Sequence, residues 1–360
     1  MVKTTRPGPE WTLGIDLGDR KSCYCWMDPS GEVVESGEVK MSSPCLTDLV
    51  GKWKTRVRVA MEVGTHSGWV SDLLTGLGHE VFVANTHRMK LIAKSNRKTD
   101  RADAELLARI ARADPTLLCP IRHRGKEARE DLQLLRSRDA LVRTRTDLIN
   151  HVRGTVKAAG GRVSSCSAPS FPKKALPCLP DALRPVLRPV IELIASLTET
   201  IREFDRRIHE VCKERYPETK ILRQVQGIGP ITSLCYVLTL DDPGRFASSR
   251  EVGAYVGLRP RLNQSGERDP ELGITKAGDG HLRRLLVSAS HYILGHWGKD
   301  SDLRRWGHQL AQRGGKNAKK RAVVAVARKL AVLLHALWKH EAVYEPLRPN
   351  PGPRRHRRPA

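Results

Sequence analysis

Two aspartates, Asp100 and Asp103, lie three residues apart in the segment NRKTDRADAELLARI, which spans residues 96–110. Apolar residues recur there at helical spacing, so the segment predicts an α-helix. A separation of three places both carboxylates on one face of the helix, where they repel each other unless a cation lies between them. The pair is typical either of metal ligands or of a solvated charged face.

Two further acids stand at the ends of apolar runs. Asp16 follows WTLGI, and Glu62 follows VRVAM. Both runs predict strands with an acid near the C-terminal end, which is where ligands gather in an open α/β sheet. Together with Asp100 and Asp103, these acids can converge on one site that requires cations, and carboxylate oxygens favour Mg²⁺ or Mn²⁺. The matching chemistry is metal-assisted in-line displacement at a phosphodiester.

Each acid also has a purely structural interpretation. Asp16 suits the turn DLGD, Glu62 suits a strand end, and Asp100 suits the N-cap of its helix. The order of predicted elements favours the metal site, because it reads strand, strand, strand, crossing segment, strand, helix, strand, helix. We therefore predict an α/β N-terminal domain with an RNase H-like sheet, in which all four acids are metal ligands.

The composition indicates a polyanionic partner. The 360 residues include 63 Lys and Arg against 39 Asp and Glu, a formal net charge of +24. Lys and Arg neutralise phosphates and release counterions, so nucleic acid is expected. No apolar run of about 18 residues and no signal peptide is present, so we expect a cytoplasmic protein without membrane contact. Aromatic residues make up only 5%, which argues against base stacking over most of the surface.

The eight cysteines do not indicate a metal site. They are scattered, and none forms a CxxC pair. Reduced and buried thiols are therefore favoured over a structural zinc site.

The middle of the chain predicts two long amphipathic helices. Residues 127–159 and 186–215 carry apolar residues at helical spacing and many arginines. The segment 160–185 between them is rich in Gly, Ser and Pro, which indicates a loop or linker. The two helices predict either an antiparallel hairpin or a coiled coil that joins protomers.

A glycine motif follows in the C-terminal third, where QGIGP precedes a helix predicted to begin near Pro230. Gly227 and Gly229 let backbone N–H groups approach a phosphate, as in a helix-hairpin-helix module. A tight turn between helices also favours glycine, so the motif alone does not decide between the two roles.

One serine and several cations stand further along the chain. Ser265 lies in a polar loop, and the candidate nucleic-acid contacts Lys276, Arg283 and Arg284 come after it, with His281 among them. A serine in such a loop is usually a turn residue. As a nucleophile it would need metals or arginines to activate its hydroxyl and hold the scissile phosphate.

These patterns divide the chain into five parts. They are a disordered N-terminus (1–10), an α/β domain (11–115), a helical middle (116–220), a mostly helical C-terminal domain (221–340) and a basic disordered tail (341–360).

Two motif sets resemble the insertion-sequence-one-ten family of transposases. GIDLG with Asp16, AMEVGTHSGWV with Glu62, and KTDRADAELLARI with Asp100 and Asp103 resemble its RuvC-like DEDD domain. The segments that begin VQGIGPITSL and QSGERDPELGITK resemble its C-terminal transposase domain. The resemblance runs from about residue 11 to residue 340 and excludes only the tail.

The resemblance implies a site-specific DNA recombinase that moves its own insertion element. In this family a serine of the C-terminal domain joins the RuvC-like acids in a composite active site, and the serine that matches here is Ser265. It would attack a DNA phosphodiester and form a covalent phosphoserine intermediate beside Mg²⁺ held by the four acids. The family is guided by a structured, element-encoded bridge RNA that pairs with donor and target DNA.

Several expectations accompany this resemblance. Related sequences often have Ser-Ser-Gly-Gly where this chain has NQSGE, so Glu267 replaces the second glycine and can change the loop geometry. The several cuts of strand exchange imply a dimer or tetramer, associated with the nucleoid of a prokaryotic cell. Two alternatives stay open: a metal-dependent RuvC-like junction nuclease with Ser265 as a spectator, and a non-catalytic nucleic-acid-binding protein with structural acids.

Overall fold

The computed structural model divides into two compact units, with the boundary between His123 and Arg124. The structure describes residues 11–85, 99–261 and 272–347. The prediction of disorder for residues 1–10 lies outside the described residues. No helix in the described part of the chain is long and apolar enough to cross a membrane.

The N-terminal unit is built on a five-stranded mixed sheet. Its strands are β1 (Trp11–Asp16), β2 (Lys21–Met27), β3 (Val33–Lys40), β4 (Val57–Glu62) and β5 (Glu80–Ala84). Their spatial order is β3-β2-β1-β4-β5. The first three strands pair antiparallel, and β4 and β5 continue the sheet parallel to β1. This order of elements confirms the predicted α/β domain.

Helices cover both faces of this sheet. They are α1 (Ser43–Gly51), α2 (Ser67–Gly76) and α3 (Asp100–Ala113). The core under α1 and α2 includes Leu13, Ile15, Trp26, Val59, Met61, Leu46, Val70 and Leu74. The opposite face packs against α3 through Cys25, Met27, Ala60, Ala84, Ala104, Leu107, Ala108 and Ala111. Alternate residues of β1, β2 and β4 therefore face different helices, as the two-residue period of a strand requires.

The C-terminal unit begins with two long helices that form an antiparallel hairpin. They are α4 (Lys126–Ala158) and α6 (Arg184–Glu214). Arg138 pairs with Asp205, whereas the later Arg145 donates to the earlier Thr198 at 3.2 Å. The residue numbers of the partners on α6 fall as the residue numbers on α4 rise, so the two helices run in opposite directions. Of the two arrangements left open by the sequence, the hairpin is present within this chain.

The segment between these helices is more ordered than its composition predicts. It contains α5 (Phe171–Ala175), flanked by short 3₁₀ turns. The Phe171 side chain is fully buried in a cluster with Val152 and Ile191, and the Arg153 guanidinium lies 5.2 Å from its ring centroid. The prediction of a plain loop is therefore wrong, because the prolines begin short helices that pack on the hairpin.

The rest of this unit is helical, as predicted. Its helices are α7 (Thr219–Leu222), α8 (Pro230–Leu240), α9 (Ser249–Tyr255), α10 (Gly280–Leu294), α11 (Asp302–Gln312) and α12 (Ala318–Lys339). At the centre, the buried Tyr236 of α8 donates its hydroxyl hydrogen to the Ala331 carbonyl at 2.6 Å. The predicted helix start at Pro230 is confirmed.

The first part of the predicted tail packs on this unit. The Tyr344 N–H donates to the Gln224 side chain at 3.0 Å, and the Asp302 N–H donates to the Pro346 carbonyl at 2.8 Å. Residues 341–347 are therefore ordered, contrary to the expected disorder. The remaining tail, 348–360, lies outside the described residues.

Candidate active site and nucleic-acid interface

Asp16 and Glu62 are the last residues of two neighbouring parallel strands. The register between β1 and β4 pairs Gly14 with Ala60, two residues before each acid. Adjacent strands are about 4.8 Å apart, and residues two apart point to the same face. Ala60 belongs to the core under α3, so both acids lie on the α3 side of the sheet, at its C-terminal end.

The direction of α3 brings its first turn to the same end. A Cβ atom on Gly14 would lie 2.0 Å from the Ala104 carbonyl oxygen and 2.7 Å from the Ala108 nitrogen, so only glycine permits this approach. Further along the helix, the Ala111 carbonyl accepts a hydrogen bond of 3.1 Å from Arg58, near the start of β4. Thus α3 runs antiparallel to β1 and β4, and its N-terminus lies toward their C-terminal ends.

The first turn of α3 carries the remaining two acids. The N-cap is Thr99, whose hydroxyl oxygen accepts a hydrogen bond from the Ala102 N–H at 3.2 Å. This corrects the alternative in which Asp100 caps the helix. Asp100 is the first helical residue, and Asp103 donates its N–H to the Thr99 carbonyl at 2.9 Å. Carboxylates in a first turn are favoured by the partial positive charge of the helix N-terminus.

The Cys23 thiol lies near one acid of the strand ends, Asp16, and one acid of α3, Asp100. Cys23 lies directly opposite Asp16 in the antiparallel pair of β1 and β2. Burial raises the pKa of this thiol, and the carboxylates of Asp100, Glu38 and Asp16 raise the pKa further. These acids therefore act on one small region, because such an effect weakens with distance. Nothing in the sequence pattern connected Cys23 with Asp100, since they are far apart along the chain.

The donor set fits a divalent cation in its chemistry. Asp16, Glu62, Asp100 and Asp103 supply carboxylate oxygens at one end of the sheet, and hard cations such as Mg²⁺ prefer oxygen ligands. Their side chains are not gathered around a common point. Across residues 11–85, 99–261 and 272–347, no three His, Cys, Asp or Glu side chains form a group that could hold a metal ion.

Ser265 and the divergent Glu267 lie outside the described residues, but the chain on both sides of residues 262–271 is described. The Arg261 N–H donates to the Gly273 carbonyl at 3.0 Å, and the Thr275 N–H donates to the Arg259 carbonyl at 2.9 Å. The residues that flank this segment thus pair as a short antiparallel ladder.

Two glycines and an arginine fix the base of this ladder. Gly257 and Gly278 have φ angles of +70° and +67°, and a Cβ on Gly257 would lie 2.2 Å from the Ala277 carbonyl oxygen. Arg283 donates to the carbonyls of Val256 at 3.1 Å and Ala277 at 2.7 Å. The guanidinium predicted to contact nucleic acid therefore connects the two sides of the ladder.

The other predicted cations differ in their surroundings. Arg284 forms an ion pair of 2.7 Å with Asp139 of α4, and the Nε2 atom of His281 lies 3.7 Å from the same carboxylate. Burial lowers the pKa of His281. Lys276 is exposed, has a φ angle of +56° and donates its N–H to the Gly257 carbonyl at 3.1 Å.

The glycine motif forms a tight turn between α7 and α8. Gly227 has a φ angle of +91°, which explains the glycine by backbone conformation alone. Gly229 is the N-cap of α8, has a φ angle of −94° and has no atom within 4 Å of the position a Cβ would take. Glycine is among the residues favoured at an N-cap, and the open space beside Gly229 would also admit a ligand.

The α/β unit with four acids at one end, in a strongly basic chain, defines a candidate enzyme of the DEDD class that acts on nucleic acid. A DEDD transposase model of the IS110 type matches residues 13–159, and a model described as "Transposase IS116/IS110/IS902 family" matches residues 219–305. The chain belongs to the IS116/IS110/IS902 family of transposases. The predicted family resemblance is thereby confirmed, and the DEDD model implies a RuvC-like fold for the N-terminal unit.

Individual relatives extend this similarity over most of the chain. The transposase for insertion sequence element IS1111A of Coxiella burnetii is 29% identical over 342 residues, which cover 92% of this chain and 90% of that protein. A probable family 20 transposase of Pseudomonas aeruginosa is 30% identical over 297 residues, or 80% and 86% of the two chains. A pilin gene-inverting protein of Moraxella bovis is 23% identical over 278 residues, or 74% and 75%. Family membership supports a DNA-processing enzyme with DNA as its substrate.

Proposed function

We propose that this protein is a Mg²⁺-dependent, site-specific DNA recombinase of an insertion element and that it works through a covalent phosphoserine intermediate. The observation that carries the proposal is the position of four acids at one end of the sheet in a chain of the transposase family. Asp16 and Glu62 end adjacent parallel strands, and Asp100 and Asp103 occupy the first turn of the helix that lies over them.

The four acids would hold Mg²⁺ or Mn²⁺. Such an ion, when bound, stabilises the charge that develops on phosphodiester oxygens during displacement. The Ser265 hydroxyl oxygen attacks the phosphorus atom of the DNA and loses its proton. A bond forms between this oxygen and phosphorus, and the bond to the leaving deoxyribose oxygen breaks as that oxygen gains a proton. Attack by a hydroxyl of another DNA end reverses these changes, so strands are exchanged without net hydrolysis.

The described residues beside the Ser265 segment support a positioned nucleophile. Residues 259–261 and 273–275 pair with each other, and Arg283 donates to the main chain on both sides of that ladder. A nucleophile gains rate when it is held in a near-attack geometry, and the ladder fixes Arg261 and Gly273, which lie on either side of the segment that carries Ser265.

We further propose that an element-encoded structured RNA guides the enzyme and that it acts as a dimer or tetramer, because strand exchange requires several cuts. The net charge of +24 suits phosphate contacts with both RNA and DNA. The Moraxella bovis relative is a pilin gene-inverting protein, and gene inversion is a DNA rearrangement of the kind that site-specific recombination produces.

The test is a covalent-trapping assay with the full chain. The protein is incubated with Mg²⁺, the element-encoded RNA and labelled element-end DNA, then denatured and examined for label on the polypeptide. We expect an adduct that is lost in Ser265→Ala and in Asp16→Asn. The matched control is Ser196→Ala, because Ser196 is exposed on α6 and belongs to no proposed site.

Other outcomes of this assay contradict separate parts of the proposal. Cleaved DNA without an adduct, at an unchanged rate in Ser265→Ala, would establish the junction nuclease, in which the acids direct water at the phosphodiester. An adduct that forms equally well without RNA contradicts guidance by RNA. An adduct that persists in excess chelator contradicts the divalent cation.

A further inference from the structure

The turn that ends α10 exposes two aromatic side chains. Trp297 is 74% exposed and Tyr292 is 42% exposed, whereas the other six tryptophans of the chain are buried or half-buried. The His296 ring meets the Trp297 ring edge-on, with 5.0 Å between their centroids. Large exposed aromatic groups that lie together mark interaction surfaces more often than scattered ones do.

Each aromatic residue contacts one of two adjacent residues of the glycine turn. Gln226 donates its side-chain N–H to the Trp297 carbonyl at 3.3 Å and accepts a hydrogen bond from the Lys299 N–H at 2.6 Å. The Tyr292 ring carbon Cδ1 lies 3.1 Å from the position a Cβ on Gly227 would take. Tyr292 and Trp297 are therefore held beside one short stretch of chain, and we name residues 292–297 the aromatic turn.

The surroundings of the aromatic turn suit a strand with negative phosphates. Residues 219–240 contain no Asp or Glu, and Asp300 is the one carboxylate between residues 280 and 300, where it forms an ion pair of 2.6 Å with Arg305. Tyr292 also borders an open groove of about 440 Å³ lined by Gly229, Thr232 and Ser288. Because the Arg305 guanidinium pairs with the Asp300 carboxylate, that acid does not oppose a phosphate here, and nucleobases stack on exposed aromatic rings.

We propose that the aromatic turn is a stacking surface for unpaired bases of a nucleic-acid strand. The proposal rests on the proposed nucleic-acid function and adds base contacts to the phosphate contacts assigned there. Trp297 and Tyr292 supply the aromatic faces, Gln226 fixes the Trp297 backbone, and Lys299 supplies positive charge. Bases within a duplex are already stacked on each other, so the surface selects unpaired nucleotides.

Cross-linking and binding to the full chain test this directly. A short oligothymidylate that contains 5-iodouracil is irradiated with the protein, and the modified peptide is mapped by mass spectrometry. We expect modification of Trp297 or Tyr292. We expect Trp297→Ala to weaken binding of the single strand about tenfold. Trp297→Phe should restore most of the loss, and binding of a matched duplex should stay unchanged. Leu193→Ala is the control, because Leu193 is an apolar residue of α6 that is 49% exposed.

Three results would overturn the proposal: equal single-strand affinity of Trp297→Ala and the wild type, cross-links confined to other segments, or loss of an oligomer in Trp297→Ala. The last would assign the surface to a second copy of the chain. Oligouridylate in place of oligothymidylate distinguishes RNA from DNA as the source of the bases. Failure of the adduct assay removes the recombinase chemistry but leaves the cross-link unaffected, so the two proposals fail separately.

Discussion

Two regions of the molecule position their residues in different ways. One is the end of the sheet that carries Asp16, Glu62, Asp100 and Asp103, which we name the acid end. The other is the ladder base of the C-terminal unit, formed by Gly257, Gly278 and Arg283. Sheet register places Asp16 beside Glu62, and a glycine under α3 brings the first turn of that helix to the same end. At the ladder base, Arg283 itself is part of the structure because its guanidinium binds two main-chain carbonyls. A charged residue in a motif can therefore serve either the reaction or the scaffold, and its partners decide which.

The largest expected effect is the loss of a single carboxylate at the acid end. Asp16→Asn keeps the size of the side chain but removes its charge, so we expect adduct formation to fall about 100-fold or more, as for other groups that stabilise transition-state charge. The measurement is the rate of covalent trapping at saturating Mg²⁺.

Glu38→Gln is the matched control for Asp16→Asn. Glu38 also raises the pKa of Cys23, yet it is not one of the four DEDD acids, and its exposed ion pair with Lys21 contributes little to stability. Equal losses in Asp16→Asn and Glu38→Gln would mean that general charge near Cys23, not a ligand set, supports the reaction.

The second effect tests the close contact between Gly14 of β1 and helix α3, which brings Asp100 and Asp103 to the acid end. Gly14→Ala would place a methyl group 2.0 Å from the Ala104 carbonyl oxygen, so α3 must shift away from β1. We expect a loss of about 1–3 kcal/mol in the free energy of unfolding, the usual range for overpacking. Denaturant unfolding of the full chain provides the measurement.

Gly51→Ala is the control for Gly14→Ala, since no atom lies within 4 Å of the position its Cβ would take. Equal stability of Gly14→Ala and the wild type would show that α3 is not held against β1 as the structure places it. The displacement in Gly14→Ala should also slow adduct formation, because Asp100 and Asp103 move with the helix.

The acid end could be predicted because its signals are local. Strands that end in an acid, and a helix with two acids in its first turn, are visible in short stretches of sequence. The approach of α3 over Gly14 could not be predicted, because it depends on residues about 90 positions apart along the chain. The cap at Thr99 lies one residue before Asp100, which was the cap in the structural alternative, and such one-residue shifts are common at helix ends.

The C-terminal unit was harder to predict for the same physical reason. The carbonyl partners of Arg283 become apparent only once the chain has folded, so its sequence context indicated phosphate contact. The buried Phe171 lies in a segment whose Gly, Ser and Pro content indicated a loop. Composition reports the backbone tendency of a segment, whereas burial depends on what packs over it.

The third effect distinguishes Arg283, whose side chain binds main-chain carbonyls, from Arg284, whose side chain lies on the surface. Arg283→Gln leaves the carbonyls of Val256 and Ala277 without their donor, which we expect to destabilise the fold by about 1–3 kcal/mol and to slow adduct formation. The salt dependence of DNA binding should not change. Arg284→Gln removes a cation from the surface. If that cation contacts a phosphate, the slope of the logarithm of DNA affinity against the logarithm of salt concentration should fall in magnitude by about 1.

Salt titrations of DNA affinity, together with denaturant unfolding, measure this contrast. Arg283→Lys is the conservative variant, and it should restore stability only in part because an ammonium cannot reproduce the fixed fork of the guanidinium. A lower salt slope in Arg283→Gln, with unchanged stability, would instead make Arg283 a phosphate contact and remove the contrast between scaffold and site.

The smallest effect concerns the pH dependence of the C-terminal unit. Burial lowers the pKa of His281 below its ordinary value of 6.5, and the nearby Asp139 carboxylate opposes this only in part. The unfolded chain therefore binds a proton at higher pH than the folded chain, and stability is lost as pH falls below about 6.5.

His281→Asn should lose less stability than the wild type between pH 7.5 and pH 5.5, as measured by thermal unfolding. His151→Asn, at an exposed site on α4, is the control. Burial also lowers the pKa of His335, so part of the acid sensitivity should remain in His281→Asn, and an unchanged pH profile would place the effect elsewhere.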